Sequence, residues 1–248
     1  MGLKKHLLLI AALLLILLTS QCNTGPREEA GSLQTDTKTV ALGGAQSARV
    51  NISMSAGELK ITGGSQPKDQ LMDATFTYNV SHWKPDVEYN VRGDAGTLVI
   101  EQPHAGRTIG NTRNEWEIHL NDKVPSQMDV SLGAGKASLV LGGMVLSSLQ
   151  LSMGAGETTL DLTGNWKNNL SAHVQGGVGK AVVRLPRDVG VHVIAHGGLG
   201  AINANGFTKQ GDAYVNEAYG KSPITLDITV EGGVGEIDLE MGEAPPVV

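Results

Sequence analysis

Alternating apolar residues set around two closely spaced glycines return every 21 to 23 residues through the second half of the chain. The phrase reads MDVSLGAGKASLVL from Met128, LQLSMGAGETTLDL from Leu149, AHVQGGVGKAVVRL from Ala172 and VIAHGGLGAINANG from Val193. A fifth copy, ITVEGGVGEIDLEM from Ile228, follows a longer gap. With the second glycine as anchor, Gly135, Gly156, Gly179 and Gly200 are spaced 21, 23 and 21 residues apart, and Gly235 comes 35 later. A fixed period of this size specifies a stacked array, because one unit cannot bury its own apolar face and must lean on its neighbours.

Within each unit, positions 7, 5 and 3 before the anchor are mostly apolar or glycine, and after it positions 2, 4 and 6 take over that pattern. Alternation with period two means strand. The parity flips across Gly-x-Gly, so the chain turns a corner there to keep both arms on one core, and glycine accepts the backbone angles a corner needs. The residue between the glycines (Ala134, Ala155, Val178, Leu199, Val234) is expected to point inward. Each repeat is then one rung of strand, corner, strand and return loop. Helix is excluded, since helical spacing fails and 33 glycines would destabilise it.

Parallel stacking places equal positions about 4.8 Å apart. One residue after the anchor the column reads Lys136, Glu157, Lys180, then Ala201 and Glu236, an alternation suited to a solvated face. Five residues after the anchor Asp161 and Arg184 become neighbours.

An earlier copy, VNISMSAGELKITGG from Val50 with anchor Gly57, shows the same parity flip. Beyond it Phe76, Tyr78 and Val80 alternate, then Val87, Tyr89 and Val91 around a Pro-containing loop, which predicts a β-hairpin followed by a strand at Leu98 and Ile100. Residues 103 to 114 read as a loop, and Trp116, Ile118 and Leu120 lead into the first full rung. The expected organisation is a signal peptide at 1–21, a flexible tether at 22–38, an N-terminal β module at 39–103 and a solenoid at 115–243. The predicted fold is all-β, a parallel, single-stranded β-helix-like solenoid with an N-terminal β-hairpin-containing module.

At the N-terminus Lys4 and Lys5 precede twelve unbroken apolar residues from Leu7 to Leu18, then Thr-Ser-Gln and Cys22, the one cysteine of the chain. Twelve is short for a membrane span, which needs about 20, and fits a secretory signal. The stretch resembles a bacterial lipobox, with Gln21 bulkier than the usual residue before the cysteine, and it implies lipid attachment at Cys22. Cleavage there leaves 17 basic against 25 acidic residues, a formal charge of −8, which argues against nucleic acid. A single cysteine allows no intramolecular disulfide.

Candidate chemistry is sparse. GGVGKA at Gly176 lacks the upstream glycine and the Ser/Thr of a phosphate loop and recurs as a corner. His173, His192 and His196 fall outward on nearby rungs, with Glu231 expected beside His196, and read as a polar face before a metal site. Carboxylates are spread over different columns, so no catalytic pair forms. No catalytic residue, metal ligand or cofactor is predicted. The irregular segment FTKQGDAYVNEAYGKS interrupts the array, and Tyr214, Asn216 and Tyr219 are its candidate partner-binding residues; a cap on the coil end is the competing role.

The phrases VNISMSAGELKITGG, LMDATFTYNV, EWEIHLNDKVPSQMDVSLGAGKASLVLGG, VVRLPRDVGVHV and GDAYVNEAYGKSPITLDITVEGGVGEI resemble, in order, those of the toastrack family, β-coils related to the C-terminal domain of LiaF-like envelope-stress regulators. The membrane helices of those regulators have no counterpart here. The resemblance implies an extracytoplasmic role in sensing, docking or adhesion and carries over no catalytic residue. The expected protein is thus non-catalytic and lipid-anchored in the bacterial envelope, at the outer membrane or cell surface, with an envelope component or sensor protein as partner. The alternative is a β-helix protein that binds or cleaves cell-wall or surface glycans.

Overall fold

The structure, a computed structural model, describes residues 27–64, 66–103 and 107–242 of the 248-residue chain. The expected signal segment and Cys22 lie outside them. In chain order the strands are β1 (Arg27–Glu29), β2 (Gln34–Ala41), β3 (Ser47–Gly64), β4 (Gln70–Tyr78), β5 (Asp86–Arg92), β6 (Ala95–Glu101) and β7 (Arg107–Ile109). There follow β8 (Asn114–Asn121), β9 (Ser126–Val140), β10 (Leu146–Asp161), β11 (Leu170–Leu185) and β12 (Gly190–Asn205). The last are β13 (Thr208–Gln210), β14 (Ala213–Val215) and β15 (Thr225–Met241).

Six long bent strands, β3, β9, β10, β11, β15 and β12, stack in parallel in that order and form the solenoid. The glycine anchors lie in register across every pair, at φ between +131° and +144°. At Gly156 a Cβ would drive into the carbonyl oxygen of Gly135 on the next rung, and at Gly154 into that of Gly133. Both glycines of the phrase are thus required by backbone stacking as well as by the turn.

The residue between them points outward, against the inward orientation expected. Val178 is 57 %, Leu199 73 % and Val234 47 % exposed. The inside of the bend is already filled by the side chains flanking the corner, such as Leu132 and Ala137, both buried, so the vertex residue has only the outer side available.

The coil is not wound in sequence order. β15 inserts between β11 and β12, so the anchor of the fifth copy, Gly235, pairs with Gly179 on one side and Gly200 on the other. This perfects the charge column, which reads Glu58, Lys136, Glu157, Lys180, Glu236 and Ala201 in spatial order.

The N-terminal module differs from expectation in three respects. The hairpin is β5 with β6, whereas β4 pairs with β2 and β8. The segment expected as a tether is in part structured, since Arg27–Glu29 pairs with β7 and β2 begins at Gln34. β8, expected to open the first full rung, runs parallel to the second arm of β3 and antiparallel to β4. Its hydrophobic alternation serves a covering strand, and the first rung is β3 itself.

One continuous core runs along the coil, from Trp116 and Phe76, packed edge to face at 5.5 Å, to Leu226, Leu239 and Val193 near the other end. Val130, Leu151, Val174 and Val230 form one inward column, each buried. Burying such aliphatic side chains stabilises by about 1.5–3 kcal/mol each relative to exposure. Among the described residues no helix is long and apolar enough to cross a membrane.

Candidate interaction surface at the coil ends

The two ends of the coil are finished differently. At the N-terminal end β6 covers the first arm of β3 and β8 the second. The corner between them is sealed by two buried amides. Gln102 Oε1 accepts from the Ser55 amide at 2.9 Å, and Asn114 Nδ2 donates to the Ala56 carbonyl at 2.9 Å and to Gln102 Oε1 at 3.1 Å. Trp116 Nε1 donates to Asn114 Oδ1 at 3.0 Å and holds that amide in place. The outer strands of this end carry charges, Asp36 and Lys38 on β2 and Asp86, Glu88 and Arg92 on β5, which discourage further pairing. Asp36 accepts from the Tyr78 hydroxyl at 2.7 Å, and this bond, with Lys84, holds its carboxyl below the ordinary value. Burial, followed by the bond to Asp36, pushes the Tyr78 phenol up to about 12.

At the C-terminal end the cover is partial. The interrupting segment folds back as the β13–β14 hairpin, and β14 pairs antiparallel with His192–Ile194 alone. Asn216 pins this hairpin to the last rung. Its Oδ1 accepts from the Val191 amide at 3.0 Å, and its Nδ2 donates to the carbonyls of Val189 at 2.7 Å and Pro186 at 3.2 Å. It is 5 % exposed. Asn216, expected to face a partner, is instead committed to closing the coil, because every polar atom of its amide is consumed by backbone. Tyr214 is half-buried against the core with Lys209 over its ring. Tyr219 is 36 % exposed and stacks on the His192 ring at 5.3 Å between centroids.

From Ala195 to Asn205 the outer edge of β12 has no strand beside it among the described residues. Ile202 and Ala204 point toward the core yet stay only partly buried, whereas their neighbours Ile237 and Leu239 on β15 are 3 % and 1 % exposed. Leu199 stands at the vertex of this rung. Nothing in the periodicity marked this edge, since strand order decides which rung is last.

The insertion of β15 also redistributes the histidines. His192 Nδ1 lies 3.3 Å from Asp227 and His173 Nε2 3.7 Å from Glu231, both carboxylates coming from β15, which separates the two histidine strands. Glu231, expected beside His196, is in register with it but its carboxylate lies nearest the His173 ring, 3.7 Å from Nε2. Among the described residues no group of three or more His, Cys, Asp and Glu is placed to hold a metal ion. Asp161 and Arg184 are in register as expected, but Arg184 Nε reaches Glu240 at 3.1 Å while Asp161 accepts from the Thr163 amide and hydroxyl.

The outer face of the second arms alternates in charge rung by rung. β10 presents Glu157 and Asp161, β11 Lys180 and Arg184, and β15 Glu236, Asp238 and Glu240. Lys180 Nζ lies 2.6 Å from Asp238 and 3.1 Å from Glu236, and the two carboxylates, Asp238 first, hold its ammonium above the ordinary lysine value. Lys180 in turn lowers Asp238, helped by Asn203, whose Nδ2 donates to both Asp238 at 2.7 Å and Glu236 at 2.8 Å.

The molecule is thus a parallel β-solenoid sealed at one end and half-covered at the other, with mixed charge along its flanks. The chain belongs to the toast-rack family: residues 29–184 match the family described as the N-terminal domain of toast_rack, DUF2154. A solved structure of a candidate cell adhesion protein from Clostridium sporogenes is 36 % identical, covering 85 % of this chain and 100 % of its own, with a TM-score of 0.78. A candidate adhesin from Bacteroides fragilis is far more distant, at 12 % identity over 87 % of this chain and 100 % of its own, with a TM-score of 0.35. No protein of curated function matches the sequence.

Proposed function

We propose that this protein is a non-catalytic, extracytoplasmic docking or adhesion module, lipid-anchored through Cys22, that binds an envelope component or sensor protein. The observation that carries the reading is the unequal finish of the coil ends. One end is sealed by strands and buried amides, and the other leaves a rung edge, part of the core and Leu199 uncovered, with Tyr219 partly exposed on His192 near the start of the same strand. The likeness over most of the chain to a candidate cell adhesion protein supports the same role. The lipobox-like sequence ending at Cys22 supports an anchor, and the resemblance to LiaF-like regulators supports a place in envelope sensing. The dispersed carboxylates and the coil-corner glycines support a binding protein over an enzyme.

The test is crosslinking on intact envelopes followed by affinity capture, comparing the wild type with Tyr219→Ala and Leu199→Ala. Reproducible capture of one envelope component, reduced by these exposed substitutions at unchanged melting temperature, is expected. Equal capture by all three would remove the C-terminal end from the docking role. Metabolic labelling with a fatty acid, absent in Cys22→Ala, tests the anchor.

A further inference from the structure

The uncovered edge carries information about what covers it. The sixteen residues of β12 contain no Asp, Glu, Lys or Arg, although every other rung of the coil carries formal charge. Exposed edges are ordinarily guarded by charge, as β2 and β5 are at the other end. Beneath this rung lies β15, with five acidic residues and no Lys or Arg. On the outer face of the second arm Ala201, Asn203 and Asn205 sit in register with Glu236, Asp238 and Glu240. Lys180 and Arg184 balance those carboxylates from β11, and β12 offers only the Asn203 amide from the opposite side. The rung-by-rung alternation therefore stops one basic strand short.

We propose that the Ala195–Asn205 edge of β12 receives an extended segment of a partner protein by strand addition, and that this segment alternates basic and apolar side chains. The inference rests on the docking reading and names its partner class. Main-chain hydrogen bonds to the free edge provide attachment, and side chains at alternate positions provide specificity. Inward apolar residues complete the cover over Ile202 and Ala204. Outward Lys or Arg residues reach across the short Ala201 side chain toward Glu236, at two rung spacings of about 4.8 Å each, and extend the ladder by its missing layer. A second copy of this chain fits the edge poorly, because it would bring a second five-carboxylate strand toward the first, and like charge across an interface disfavours association.

The experiment measures binding of two fluorescent peptides to the full-length chain in detergent by anisotropy: one of alternating lysine and valine, one of alternating glutamate and valine. The lysine peptide should bind at least tenfold more tightly, and salt should weaken it through screening. Ala201→Lys, at an exposed position, should weaken the lysine peptide about tenfold and improve the glutamate peptide, with Asn205→Lys as an independent second variant above Glu240. Equal affinity for both peptides, or lysine-peptide binding unchanged in both folded variants, would overturn the proposal. So would a concentration-dependent dimer in sedimentation that Ala201→Lys dissolves, since a second copy would then own the edge. Envelope capture that survives Ala201→Lys would leave the docking reading standing and remove this edge from it.

Discussion

Gly179 pairs with Gly235, 56 residues further along the chain, and not with Gly200, which follows it after 21. In space β15 lies between β11 and β12, and the β13–β14 hairpin lies along part of β12 on its other side. The last strand in sequence is therefore an interior strand, hydrogen-bonded along both edges, and the rung with a free edge beyond Ile194 is β12.

Hydrogen exchange should expose this inversion. Amides of β15 should be protected like those of β10 and β11, whereas the free-edge amides between Ala195 and Asn205 should exchange orders of magnitude faster, as expected of unpaired strand edges. Truncation before Thr225 should unfold β12 with it, seen as loss of cooperative melting, because β12 pairs with the coil only through β15.

The glycine corners should tolerate no side chain. Gly156→Val places a branched residue at φ +132° with its Cβ in the Gly135 carbonyl, and should cost about 3 kcal/mol or more. Gly211→Ala, at a φ of +60° with open space around it, serves as the control for backbone strain without collision and should cost no more than about 1 kcal/mol. Chemical denaturation measures both. Similar losses would show that the angle, and not the stacking, makes these positions glycine.

Asn216 and Tyr219 should separate structure from surface. Asn216→Ala leaves the Val191 amide and the carbonyls of Val189 and Pro186 without their partner, a loss of about 2–3 kcal/mol for buried groups. Tyr219→Ala should shift the melting temperature little, since the ring is partly solvated on His192. A large destabilisation by Tyr219→Ala would make it part of the cap.

Charge pairing across rungs gives a test of register. A double-mutant cycle on Arg184 and Glu240 should yield coupling of about 0.2–1 kcal/mol, as for other exposed pairs. The same cycle on Asp161 and Arg184, adjacent in the ladder but bonded elsewhere, should yield coupling near zero.

The Asp36–Tyr78 pair contributes to the pH response of the N-terminal end at both extremes. The Tyr78 phenol is raised in the folded state, so its contribution is complete below its unfolded value near 10 and is lost as pH rises toward about 12. Asp36 is lowered, so its contribution is present above the unfolded value and is lost as pH falls through the folded one. Tyr78→Phe should flatten both limbs of the melting-temperature profile. Late titration of one tyrosinate absorbance, absent in that variant, would identify the group.

Repeat period and parity flip were enough to specify a parallel coil with glycine corners, because both follow from local rules: two-residue alternation buries one face, and only glycine fits where backbones stack. The family resemblance was legible for the same reason. Strand order was not. The number of residues between anchors limits how far a chain can reach and says nothing about which edge is free when the strand arrives, so the 35-residue gap before Gly235 marked an irregularity without revealing that β15 would be interior. The same holds for Phe76 and Val87, whose alternation is that of paired strands but whose partners, β8 and β6, lie elsewhere. Leu199, Val178 and Val234 were apolar and so read as inward, yet the inner side of the bend was already occupied. Asn216 and the bare edge of β12 owe their settings only to what folding put beside them: three backbone groups around the one, and no described strand along the other beyond Ile194. Side-chain periodicity is written in the chain, while adjacency is a property of the packed whole, and the candidate docking surface is made of adjacency.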